Sequence, residues 1–152
     1  MSDSLAISNN ILRLAFRDNI EVTPMKLQKL LYLLYARYLH LGNEPLFSSR
    51  FEVWKYGPVL RDIYNHFKDF GARPINGYAE IDGKALVLDE SVNDLFKEAL
   101  ELTWDRFKDF SGQQLSALTH LQGTAWHIAN GRGDRFLRDE EVVLDGGYRF
   151  WT

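Results

Sequence analysis

The sequence predicts a mainly α-helical domain, compact around one central apolar helix, with a single small β-hairpin. Three observations carry that expectation. "TPMKLQKLLYLLYARYLHLG", residues 23 to 42, has a helix-start signal and is apolar almost all round. Apolar residues recur at helical spacing through most of the remaining chain. Only "YAEIDGKALVL", residues 78 to 88, has strand-like segments flanking a favoured two-residue turn. At 152 residues the chain can bury a real core as one domain, so a single unit over 1–152 is expected.

The first helix is expected over about residues 5 to 17, with Ile7, Ile11, Leu14 and Ala15 on one stripe and Asn19 as breaker. Thr23 suits the N-cap of the second, Pro24 its first turn and Gly42 its stop. Leu27, Leu30, Leu31, Leu34, Tyr38 and Leu41 form one face, and Tyr32, Leu33 and Leu39 fill the other. Such a helix belongs at the centre. Residues 43 to 56 read as an extended linker, with Phe51, Val53 and Lys55 facing one way and Glu52, Trp54 and Tyr56 the other. Gly57 and Pro58 then open a third helix, with Val59, Ile63, Phe67 and Phe70 inward and Gly71 as its end.

Asp82-Gly83 marks the turn of the hairpin, which should pack on a helix because an isolated hairpin is marginal. A fourth helix is expected from a Ser91 N-cap to about Lys108. Its inner face is Val92, Leu95, Phe96, Ala99, Leu100, Thr103 and Phe107. Asp94, Glu98, Glu101 and Asp105 form an acidic outer stripe. Ser111 caps a fifth helix carrying Leu115 and Leu118, and Thr124 caps a short sixth around Trp126, closed by Gly131. The tail is ambiguous in pattern: "RDEEVVLD" is compatible with a helix and "GGYRFWT" with an extended end, and neither is fixed by the sequence.

Composition narrows the function classes. With 45% hydrophobic and 26% charged residues the chain is not a disordered one. Aromatics at 14% favour an aromatic core or contact surface. The absence of cysteine excludes disulfides, thiolate metal sites and cysteine nucleophiles, and fits a cytoplasmic location. The longest apolar run, "LLYLLYA", is far short of a membrane span, and no signal peptide is visible. Net charge of −3 does not favour nucleic-acid binding. Residues 1–76 carry 10 Lys/Arg against 7 Asp/Glu, and residues 77–152 carry 8 against 14. The halves are expected to interleave in the fold.

No residue set points to catalysis or a cofactor. His120 and His127 are seven apart but lack a third ligand, so no metal is expected. His120 reads instead as a hydrogen-bonding group at a helix end. Asp62 and His66 are spaced as an exposed i,i+4 pair, with no nucleophile motif beside them. "NGRGDRF", residues 130 to 136, lacks phosphate-loop spacing and reads as a surface turn. Lys26 and Lys29 read as a solvated first turn at the anion-friendly start of the central helix. Trp54, Lys55, Tyr56, Gly57 and Pro58 admit two readings, a corner clamped by aromatics or an exposed hot spot for a partner.

Three stretches carry a family resemblance: "TPMKLQKLLYLLYARYLHLGNEPLF", "FEVWKYGPVLRDIYNHFKDFG" and "SGQQLSALTHLQGTAWHIA". Together they resemble the Panacea antitoxin domain, a family that includes SocA-like proteolytic adaptors and phage-associated GepA proteins. The resemblance is strongest over residues 5–130 and fades in 131–152. The matching residues are Lys29, Tyr32, Trp54, Tyr56, Gly57, Pro58, His120 and Trp126.

The resemblance implies a non-enzymatic antitoxin of a bacterial or prophage toxin–antitoxin system. Such a protein neutralises a cognate toxin, encoded nearby, by direct binding. It also implies, as an alternative, an adaptor that delivers the toxin to a ClpXP-type protease. Family members often carry an N-terminal DNA-binding module; this sequence starts almost directly in the domain, so none is expected. A further alternative is an enzyme using His66 or His120. Were the toxin basic, the acidic stripe of the fourth helix would add on-rate and specificity.

Overall fold

The computed structural model describes residues 1–151. Ser2 caps the first helix, α1 (Asp3–Asp18), by accepting from the Leu5 N–H, and left-handed Asn19 ends it. Thr23 accepts from the Lys26 N–H to start α2 (Pro24–Gly42), with Pro24 in its first turn. Every residue of α2 from Lys26 to Ala36 is buried, and the helix packs on α1 and on the helices of the second half of the chain. That contact interleaves the basic and acidic halves. Removing so much apolar surface from water is the main stabilising term of the fold.

Gly42 does not stop α2. It is the last helical residue, and Asn43, left-handed at φ 55°, is the cap. A Cβ on Gly42 would lie 2.3 Å from Leu95 Cδ2, so this glycine serves close approach to a neighbouring helix.

The β-hairpin is not where the sequence placed it. Its strands are β1 (Glu52–Trp54) and β2 (Gly57–Val59), antiparallel, pairing Glu52 with Val59, Val53 with Pro58 and Trp54 with Gly57. Gly57 and Pro58 therefore lie in a strand, and the next helix, α3 (Arg61–Phe67), begins after Leu60. The Val53 N–H points away from β2, to the Arg135 carbonyl at 2.8 Å. Its partner Pro58 thus occupies the one position of the ladder that needs no N–H.

At residues 78–88 the expected turn forms but the ladder does not. Asp82 (φ 53°) and Gly83 (φ 76°) turn the chain, and Ile81 and Lys84 exchange backbone hydrogen bonds. Beyond that pair, side chains of α1 replace a strand. Asn9 accepts from the Ala79 N–H and donates to the Ala79 and Leu86 carbonyls. Asn10 takes both the N–H and the carbonyl of Leu88. Backbone groups so satisfied have no need of each other.

The fourth helix, α4 (Asp94–Phe107), starts at an Asn93 N-cap rather than Ser91, and Val92 is 80% exposed instead of inward. Phe96, Ala99, Leu100, Thr103 and Phe107 are buried as expected, and Leu95 partly so. Trp104 joins them, its indole N–H donating to Asp18 at 2.7 Å. Asp94, Glu98, Glu101 and Asp105 stay exposed. Ser111 and Gln114 form a capping box at the start of α5 (Gly112–Thr119). Thr124 caps α6 (Ala125–Arg132), which Gly133 ends rather than Gly131.

In the tail α7 (Asp139–Leu144) is helical. Asp145–Arg149 continues as a wide turn bent at Gly147, not as an extended end. A Cβ on Gly146 would sit 1.8 Å from the Ala36 carbonyl oxygen, so the tail lies directly on α2. The last residue of the stretch compatible with an extended end, Thr152, is outside the described residues.

Candidate binding site

The β1–β2 hairpin is held by its main chain. Trp126 on α6 donates its indole N–H to the Trp54 carbonyl at 2.8 Å. His120, the C-cap of α5, places Nε2 2.8 Å from the Lys55 carbonyl. Ser116 donates to the Tyr56 carbonyl at 2.7 Å, and Lys29 Nζ donates to the Pro58 carbonyl at 3.0 Å. Side chains from α2, α5 and α6 thus claim four carbonyls within one short hairpin. His120 and Trp126 stack at 4.0 Å between ring centroids, which ties two of the four clamps together.

Gly57 makes the close fit possible. Its φ of 116° is closed to ordinary side chains, and a Cβ there would lie 3.0 Å from both Lys29 Cε and Thr119 Oγ1.

Lys26 and Lys29 are not the solvated first turn that their spacing suggested. Both are buried, Lys29 to 2% exposure. Lys26 Nζ donates to the Lys108 carbonyl. Desolvation lowers both ammonium pKa values, that of Lys29 to about 7.

Tyr32 serves a different part of the molecule. It is fully buried, and its hydroxyl donates to Asp145 at 2.5 Å. The Ala125 N–H donates to the same carboxylate oxygen at 3.1 Å. Burial raises the pKa of the Tyr32 phenol and that of the Asp145 carboxyl. Tyr32 therefore ties α2 to the tail, whose Asp145 also reaches the start of α6, and does not touch the hairpin clamp.

With the backbone held from behind, the hairpin's aromatic side chains face outward. Tyr56 is 57% exposed. Trp54 is half-buried, edge-on to Tyr64 at 4.8 Å, with the Arg61 guanidinium 5.1 Å over its ring. Arg61 makes a two-pronged pair with Glu52, both contacts at 2.8 Å, which holds the Glu52 carboxyl below its usual range. Trp54, Tyr56 and Tyr64 wall an open groove of about 470 Å³ floored by Met25, Val59, Ile63 and Phe67.

The remaining candidates do not converge. Asp62 turns to Ser4 and Ser2, at 2.7 and 3.1 Å, rather than to His66, whose ring packs edge-on against Phe67. Residues 130–136 are not a surface turn throughout: Asn130–Arg132 is the last turn of α6, Gly133 ends it, and Arg132 pairs with Asp134 and Glu141. Among the described residues no three His, Asp or Glu side chains group as a metal site. No described helix is long and apolar enough to cross a membrane.

Sequence reasoning missed the buried polar anchors: Asn9, Asn10, Gln28 and Asp145. Gln28 accepts from the Leu60 N–H and donates to the Leu60 carbonyl, each at 2.9 Å. The signal that could have found it, with Asn9 and Asn10, was a polar amide on an otherwise apolar helix face.

The fold and site define a small helical domain that displays one rigid aromatic hairpin beside an apolar groove. The chain belongs to the SocA-like antitoxin family, the Panacea domain, whose model matches residues 27–127. It is 31% identical over 156 residues to Antitoxin SocA of Caulobacter vibrioides (strain NA1000 / CB15N), an alignment that covers 97% of this chain and 83% of that protein. No solved structure matches it.

Proposed function

We propose that this protein is an antitoxin that neutralises a cognate protein toxin by binding it directly, without chemistry of its own. The observation that supports this reading best is the family match, because its span contains the whole hairpin clamp, from Lys29 to Trp126. In this reading Trp54 and Tyr56 meet the toxin. Lys29, Gly57, Pro58, His120 and Trp126 hold the hairpin that presents them, and Tyr32 secures the tail behind it. The partner is a toxin encoded nearby, in the same cytoplasm, and neither a membrane nor nucleic acid takes part.

Co-expression tests the reading. The adjacent gene product should arrest growth alone, be harmless with this protein, and co-purify with it. A neighbour that is harmless alone and forms no complex would overturn the proposal. Delivery to a ClpXP-type protease predicts, in addition, that the toxin's half-life lengthens when the protease is deleted. Direct neutralisation predicts protection in a protease-deleted host as well.

A further inference from the structure

The groove between the hairpin and α3 combines an apolar floor with charge of a single sign. Lys29, Lys55 and Lys68 line it, and no Asp or Glu does. The chain as a whole carries a net charge of −3, so this local excess runs against its composition. A cleft of about 480 Å³ lined by residues 47–51 and the start of α7 provides the contrast. There Arg50 and Arg138 share the wall with Asp139 and Glu140, so both signs of charge line it.

Lys29 sharpens the point. Its ammonium has three N–H groups, and Pro58 O is the acceptor they find. Burial alone perturbs it; no carboxylate contributes. Holding one backbone carbonyl does not require a cation. Gln28, one residue earlier on the same helix, does the equivalent for Leu60 with a neutral amide. A buried ammonium without a counter-ion is disfavoured, which is why burial lowers the Lys29 pKa to about 7. Within the fold the acceptor it meets is a neutral carbonyl.

We propose that this groove is where the toxin docks, and that its occupant is an acidic segment of the toxin. One large apolar side chain rests on the floor, and a neighbouring carboxylate faces Lys29, Lys55 and Lys68. Trp54 and Tyr56 supply the aromatic contact area that commonly anchors an interface. The exposed Lys55 and Lys68 steer the approach and pair with that carboxylate, whose negative charge also favours the protonated form of buried Lys29. The inference rests on the direct-binding antitoxin reading and adds to it the chemistry of the partner's surface.

The test uses the full chain and the purified product of the adjacent reading frame, with affinity measured by calorimetry at low and high salt. Lys55→Glu and Lys68→Glu should each weaken binding by about tenfold or more, and added salt should weaken the wild-type complex. Glu101→Lys, on the acidic stripe of α4, should bind within about twofold of wild type, as expected for a charge outside the interface. Both lysines are exposed, so unchanged melting temperatures will confirm that the variants fold. If wild type binds and both charge reversals bind equally well, the groove is not the docking surface; this inference then falls while the antitoxin reading stands. If Glu101→Lys is the variant that weakens binding, the acidic stripe is the surface and the inference falls in the same way. If wild type does not bind at all, the antitoxin reading falls and takes the inference with it.

Discussion

Lys29 makes the stability of this protein depend on pH in a stated direction. Unfolded, its ammonium titrates near 10.5; folded, burial brings it to about 7. Between those values the unfolded chain holds a proton that the folded chain has released. Stability therefore rises with pH across that window, by at most about 1.4 kcal/mol per pH unit. Below it both states are charged and the burial cost is present in full. Lys26 is shifted the same way and adds in the same sense. Lys29→Met is expected to flatten the slope, as measured by urea unfolding at about pH 6.5 and about pH 9; a slope as steep as wild type would refute the assignment. None of this was legible in the sequence. Two lysines three apart in a first turn have the spacing of a solvated face, and only the tertiary packing, the hairpin over Lys29 and the Lys108–Gly112 segment at Lys26, reveals their burial.

At the scale of elements, the segment 78–88 shows what local pattern can and cannot decide. Asp82-Gly83 dictated its turn because both residues tolerate positive φ. The ladder failed because Asn9 and Asn10, some 70 residues earlier, took the backbone groups it needed. Asn9→Ala would leave the Ala79 N–H and carbonyl and the Leu86 carbonyl without their partner. It is expected to destabilise the protein by about 1–3 kcal/mol, the cost of stranding buried polar groups. Amide exchange at Ala79 should accelerate more than exchange in α2. Equal acceleration throughout would mean that the segment is not locally held by Asn9. The true hairpin was misread for a related reason. Gly-Pro is a good helix opening by local rules, and only the pairing with residues 52–54 makes it a strand.

At the scale of the whole molecule, the helical architecture and the central place of α2 were legible because they follow from apolar spacing. The tail was not, because long-range polar contacts hold it, among them the buried hydroxyl–carboxylate bond of Tyr32 to Asp145, residues more than a hundred positions apart. Tyr32→Phe should leave Asp145 with the Ala125 N–H alone and lower global stability by about 1–3 kcal/mol. The same change should leave the hairpin's amide protection in place once the global loss is allowed for. Limited proteolysis would then cut first after Leu144, and first cuts in residues 51–60 would contradict this division of labour.

The hairpin clamp has a consequence of its own. Trp126, His120, Ser116 and Lys29 grip only carbonyl oxygens, atoms that every amino acid possesses. Folding here is written in the main chain, and whatever the hairpin shows to the outside is written in its side chains. Lys55 and Tyr56 can therefore be exchanged for other residues without unfastening the loop that carries them. The scaffold is indifferent to the message displayed at its tip, so one framework can be re-lettered for a different partner.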